Sequence, residues 1–251
     1  MEILVTTRGP VMEIRLNRPE KKNAITVAMY ASLADAFEQA AADEAIRAVT
    51  VTGSGGVFTA GNDIADFIAV RPGGEDMPVF RFLRAIAGCP KVVIAGVEGF
   101  AVGIGTTMLL HCDLVLVAPD TTFSMPFVDL ALVPEAASSL LLPRLIGRQR
   151  AAKHLLLCDP FDAETALDYG LVTEIVPADA LEERLRATAA RIAAKPPEAV
   201  RLTKQLMIAP DCTVGERMAA EGALFEDRLS SAEAAAAFTA FFEKRAPDFR
   251  A

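Results

Sequence analysis

Lys91–Ala118 reads KVVIAGVEGFAVGIGTTMLLHCDLVLVA. Val92–Ala95 is an apolar run of strand length, and Asp113–Ala118, around the apolar Leu114–Val117, reads as a second strand. Between them lie a glycine-containing turn, Gly99–Gly105, and a helical stretch over Gly103–Leu110. Strand, helix and strand in succession imply a β-α-β unit and a mostly parallel sheet, hence an α/β fold.

The same alternation continues toward the N-terminus. Ala48–Thr52 reads as a buried strand stopped by Gly53-Ser54-Gly55-Gly56. Thr26 is placed to cap a helix running to about Ala42. Glu2–Thr6 and Val11–Leu16 read as two strands around a Gly9-Pro10 turn. Arg71-Pro72-Gly73-Gly74-Glu75-Asp76 reads as a polar, mobile loop, followed by a helix to about Ile86. Beyond Ala136 the texture changes. Ala178–Ala194, Pro196–Met207, Val214–Leu229 and Ala232–Lys244 all read as helices with little sheet to pack on. Some of their amphipathic faces are expected to bury against another subunit.

The 251 residues carry a formal net charge of −8, with 52% hydrophobic and 23% charged side chains. That suits a globular chain with a sizeable core and argues against a nucleic-acid partner, which needs a basic face. The opening MEILVTTRGPV has no basic region followed by an apolar stretch, and no segment offers a membrane span. A cytoplasmic protein is expected. Four cysteines without CxxC spacing read as reduced thiols, and no metal-ligand spacing appears.

Three places could carry chemistry. Phe58–Ile64 (FTAGNDI) and Gly99–Gly105 each precede a helix start, where free backbone N–H groups favour negative charge. Side by side, two such turns could aim two donors at one oxygen. The alternative is that the glycines only permit tight turns and close packing. The third place is Pro134-Glu135, expected in the first turn of a helix. Glu135 is flanked by Leu130–Val133 and Leu140–Leu142. It either complements the helix dipole or is desolvated enough to move protons near neutral pH.

At these places the chain resembles the crotonase, or enoyl-CoA hydratase/isomerase, superfamily. Asn17-Arg18-Pro19 with Asn23-Ala24, the FTAGNDI and VEGFAVGIG turns, His111-Cys112-Asp113-Leu114, Gly170-Leu171-Val172 and Thr239–Arg245 follow in the family's order. The resemblance implies a crotonase-like spiral of β-β-α units over residues 1–195, holding coenzyme A and the active site. Residues 196–251 would form a helical trimerisation region, giving a homotrimer or a dimer of trimers. It implies an acyl-CoA thioester substrate and no cofactor beyond the coenzyme A that the substrate carries.

By position, the resemblance makes the N–H groups of Asn62 and Ile104 the oxyanion donors, within the Gly61-Asn62-Asp63 and Val102-Gly103-Ile104 turns. Backbone around Lys22, Ala24, Ala60 and Ile64 would hold the adenine and pantetheine. Phe225 and Lys244, of this chain or of a neighbouring subunit, would reach the nucleotide end. Hydratases of the family use two glutamates; here Thr107 and Phe127 stand at those positions, and neither is a carboxylate. Glu135 falls where the family's isomerases keep their acid/base, and Phe127 would wall off water. The pattern resembles 3-enoyl-CoA to 2-enoyl-CoA isomerases, with a hydratase or related lyase as the runner-up. A non-catalytic CoA-binding protein is a third reading.

Overall fold

The computed structural model describes residues 1–69, 74 and 77–249. The loop expected over residues 71–76 lies, Gly74 apart, outside the described residues. The chain divides into two compact units, Met1–Ala189 and Ala190–Ala251.

The first unit is built on a six-stranded sheet. Its strands are β1 (Ile3–Arg8), β2 (Val11–Leu16), β3 (Ala48–Gly53), β4 (Val92–Val97), β6 (Leu114–Val117) and β9 (Glu174–Ile175), in that spatial order. β1 and β2 form an antiparallel hairpin, and every other pairing is parallel. All six residues of β4 are buried. Helices and loops cover both faces of a parallel sheet, which explains an unbroken apolar run.

A second, three-stranded sheet joins β5 (Phe100–Val102), β7 (Thr122–Ser124) and β8 (Phe161–Asp162). An isolated bridge between Thr59 and Ala101 extends it. The two sheets explain the β-β-α repeat. β4 leads to β5 and helix α4 (Ile104–Thr107). β6 leads to β7 and helix α5 (Ser138–Ile146). β3 leads to the Thr59 bridge and helix α2 (Ile64–Ala69). Each turn of the spiral adds a long strand to one sheet and a short one to the other.

Helix α1 (Val27–Ala42) starts where Thr26 accepts a hydrogen bond from the N–H of Met29. It buries Tyr30, Leu33, Ala34 and Phe37, spaced at i, i+3, i+4 and i+7, the stripe that faces a core. Phe82 of α3 (Pro78–Ala87) packs against both Tyr30 and Phe37, with ring centroids 5.7 and 5.9 Å apart. The remaining helices of this unit are α6 (Arg148–Leu156), α7 (Ala163–Asp168) and α8 (Ala178–Ala193), the last running on past Ala189.

The second unit holds α9 (Pro197–Ile208), α10 (Val214–Leu229) and α11 (Ala232–Phe242). Thr213 and Glu216 form a reciprocal capping box at the start of α10. Arg217 donates to the carbonyls of Leu206 and Pro210, neutralising the end of α9. Among the described residues no helix is long and apolar enough to cross a membrane.

Three local expectations need correction. Phe100–Val102 is a strand rather than part of a turn, because it pairs in register with Thr122–Ser124. The helix expected over Gly103–Leu110 is a single α-turn that tightens into a 3-10 turn at Met108–His111. Pro134 does not begin a helix. Ala136 and Ala137 are both left-handed, with φ of 54° and 53°, so α5 starts only at Ser138.

Candidate active site

Asn23 organises the first wall of the site. Its side chain is fully buried, accepts from the N–H of Arg18, and donates to the carbonyls of Ser54 (2.9 Å) and Val57 (2.7 Å). This holds Lys22–Ile25 along Ala60–Asp63. The N–H of Ala60 donates to Lys22, that of Ile25 to Gly61, and that of Asp63 to Ile25. The bridge between Ile25 and Asn62 engages the groups on either side of Asn62. The N–H of Asn62 itself therefore faces the opposite side, and it has no hydrogen-bond partner among the described residues.

The second wall is the start of α4. Gly103 donates to Ser124 and then turns with a φ of 56°. Its carbonyl accepts from the N–H groups of Thr106 and Thr107. The N–H of Ile104, in the first turn, has no intrahelical acceptor and no partner among the described residues.

Two glycines bring these walls together. A Cβ on Gly61 would lie 2.7 Å from the carbonyl oxygen of Val102, and Gly61 has a φ of 86°. A Cβ on Gly105 would lie 2.5 Å from Cγ2 of Thr59. Both distances are below any real contact, so only glycine permits this approach. Of the two readings of these glycines, close packing is thus directly visible, and it sets the two free N–H groups in adjacent turns.

Glu135 supplies the third element. Its Oε1 accepts from the Thr107 hydroxyl at 2.5 Å, while its Oε2 is buried with no hydrogen-bond partner among the described residues. Burial lifts the carboxyl from its ordinary 4.5 to about 7, and the Thr107 hydrogen bond opposes that rise. The backbone is fixed nearby. Ser138 donates both its N–H and its hydroxyl to the Glu135 carbonyl, and Nε2 of His111 meets the carbonyl of Ala136 at 2.8 Å. Consecutive left-handed alanines cost about 1 kcal/mol or more each, and a strained backbone of this kind is a recurrent feature of functional sites.

Tyr30 joins the parts. Fully buried on α1, it donates its hydroxyl to Oδ1 of Asn62. Burial first, and then the charge of Glu135, raise its own pKa well above the usual tyrosine value. Tyr30 and the Thr107–Glu135 bond were invisible in the sequence reading. Thr107 is 28 residues from Glu135, and Tyr30 is 32 from Asn62. Only the tertiary fold joins such separations.

The other expected residues fall as follows. Phe127 is buried in the core that also contains Ile104 and Ala136. Asp63 pairs with Arg18 at 2.7 Å, which holds its carboxyl below the usual range, and it accepts from the N–H of Asp66 at the start of α2. Lys22 is exposed and left-handed, with its ammonium 5.6 Å from the centre of the Phe100 ring. Ala24 and Ala60 are half-buried and Ile64 is exposed. The N–H of Ala60 is already used by Lys22. Phe225 and Lys244 are exposed on the second unit. Cys89 and Cys158 are buried, Cys112 is half-buried and Cys212 exposed, and none is joined in a disulfide. Among the described residues no group of three or more His, Cys, Asp or Glu is placed to hold a metal ion.

The family model described as Enoyl-CoA hydratase/isomerase matches residues 6–251. The chain is 36% identical over 211 residues to rat (Rattus norvegicus) enoyl-CoA delta isomerase 2. That match covers 82% of this chain but only 54% of the rat protein, so the chain spans about half its length. It is 34% identical to 1,2-epoxyphenylacetyl-CoA isomerase of Escherichia coli K12, over 98% of this chain and 97% of that one. A solved structure from Magnetospirillum magneticum AMB-1 superimposes with a TM-score of 0.96 at 44% identity, covering 99% of this chain and 98% of the other.

Proposed function

Because the chain belongs to the enoyl-CoA hydratase/isomerase family, we propose that it isomerises a 3-enoyl-CoA to the 2-enoyl-CoA, with Glu135 moving the proton. The observation that carries this reading is the state of that carboxyl. It is buried, it has one oxygen held and one free, and it titrates near neutral pH. A general base works best when its pKa lies near the working pH.

In this reading the thioester oxygen sits between the N–H groups of Asn62 and Ile104. Glu135 takes a proton from C2, and the resulting charge spreads onto that oxygen. Each donor contributes a few kcal/mol to the dienolate. The protonated Glu135 then gives the proton to C4, and the double bond comes to rest between C2 and C3. No water enters the balance. Thr107 and Phe127, at the positions where related hydratases carry glutamates, offer no second carboxylate to activate one. Lys22 would meet the phosphates of the coenzyme, and three chains would assemble through the C-terminal helices.

The test is to supply 3-enoyl-CoA and 2-enoyl-CoA separately to the wild type and to Glu135→Gln. Conversion of the first without hydration of the second is expected, with a kcat loss of roughly 10²–10⁴-fold in the variant. Hydration of 2-enoyl-CoA without isomerisation, or full activity in the variant, would overturn the proposal.

A further inference from the structure

Two adjacent threonines of α4 use their hydroxyls differently. A threonine in a helix commonly satisfies its hydroxyl on a backbone carbonyl. Thr106 does so, donating to Ala101 at 2.7 Å and sharing the carbonyl of Ser124. Thr107 does not. It is fully buried, and its hydroxyl leaves the helix to donate to Oε1 of Glu135. Three residues before it on the same helix stands Ile104, whose N–H is unpartnered among the described residues. Positions i and i+3 lie on one helical face, about 4.5 Å apart along the axis.

We infer that Thr107 is a positioning residue for the proton transfer: it anchors Oε1 of Glu135 to the helix that carries the Ile104 donor, so that Oε2 alone carries the proton in both directions. This rests on the assignment of Glu135 as the acid/base. A carboxylate with two equivalent oxygens can turn about its last bond and present either one. Here one oxygen is tied and the other is buried and bare. The base is thereby held against the short helix that carries the Ile104 N–H. A hydroxyl donating to the ionised carboxylate favours that form, which partly offsets the effect of burial.

Among the described residues Tyr30, from α1, senses the charge of Glu135, and His111, from the 3-10 turn, meets the carbonyl of the neighbouring Ala136. The residual profile of Glu135→Gln reports what remains once the Glu135 carboxyl is gone.

The experiment compares Thr107→Val, Thr107→Ala and Thr107→Ser across pH with 3-enoyl-CoA. The valine and alanine variants are expected to lose roughly 10- to 100-fold in kcat with KM little changed, the pattern of a misplaced catalytic group. The acid limb of kcat/KM should move up by about one pH unit, since a donor to the charged form is gone. Thr107→Ser should restore both. A merely structural threonine would not shift the acid limb. The inference is overturned if whichever of the valine and alanine variants folds keeps the wild-type acid limb, or if serine fails to restore it. If Glu135→Gln is inactive while Thr107→Val behaves as wild type, the anchor alone is wrong. If Glu135→Gln keeps full activity, both the anchor and the proton-shuttle reading fall.

Discussion

Glu135 carries opposing influences that can be read separately. Burial raises its carboxyl to about 7, and Thr107 pulls it down. The folded chain therefore holds a proton there over a range, about 4.5 to 7, in which the unfolded chain has released it. By linkage, this group's contribution to stability is fully present below the lower value and is lost as pH rises through the upper one. Glu135→Gln has no such dependence. Urea unfolding at pH 5 and pH 8 should show the variant gaining about 1–3 kcal/mol on the wild type between the two. Parallel curves would mean that the carboxyl is solvated in the folded state. The same residue was half legible in the sequence. Its apolar flanks signalled desolvation, but its expected helical setting did not survive. The left-handed Ala136 and Ala137 keep Glu135 out of α5, which starts only at Ser138. Alanine gives no warning of that conformation, because alanine is the best helix former.

At the scale of elements, the site is a seam between two turns, and glycine sets its width. Gly61 and Gly9 make a controlled pair. Both have positive φ, of 86° and 55°, but a Cβ on Gly61 meets the Val102 carbonyl at 2.7 Å while one on Gly9 meets nothing within 4 Å. Gly9→Ala should cost about 1 kcal/mol, the strain of a left-handed alanine alone. Gly61→Ala adds a backbone clash and should cost roughly twice that or more. It should also lower kcat at least tenfold by parting Asn62 from Ile104. Chemical denaturation and steady-state kinetics on the two variants check both, and equal effects would show that the close approach is unimportant. The turns themselves were legible, since glycine between a strand and a helix is a local signal. Which glycine faces which carbonyl was not, because Val102 lies 41 positions beyond Gly61. The strand at Phe100–Val102 escaped for a related reason. Three residues carry too little periodicity, and its partner β7 lies downstream across α4 and the 3-10 turn.

For the whole molecule, the strand-helix alternation along the first 136 residues was enough to give the parallel sheet, and the long helices at the C-terminus announced themselves by their amphipathic spacing. What those helices leave exposed is the more informative fact. Val214, Met218, Phe225 and Leu229 form one apolar stripe on α10, at spacings of four, seven and four. Phe238, Phe241 and Phe242 form another on α11, with the last two 78% and 80% exposed. Side chains of this size at helical spacing are the ordinary content of a core, and in water they favour association. Burying one phenylalanine is worth about 1.5–3 kcal/mol, so a face holding several can sustain assembly against the entropy of bringing chains together. The expected state is a homotrimer or its dimer, with a solution mass three or six times the 26.7 kDa of one chain. Light scattering on the purified chain at micromolar concentration measures this directly. Phe238→Asp with Phe242→Asp, placing two charges on the exposed stripe of α11, should shift the mass toward one chain without unfolding the Met1–Ala189 unit, whose helical and sheet signals circular dichroism would follow. A wild-type mass of one chain would refute the assembly and leave the apolar stripes in need of another partner.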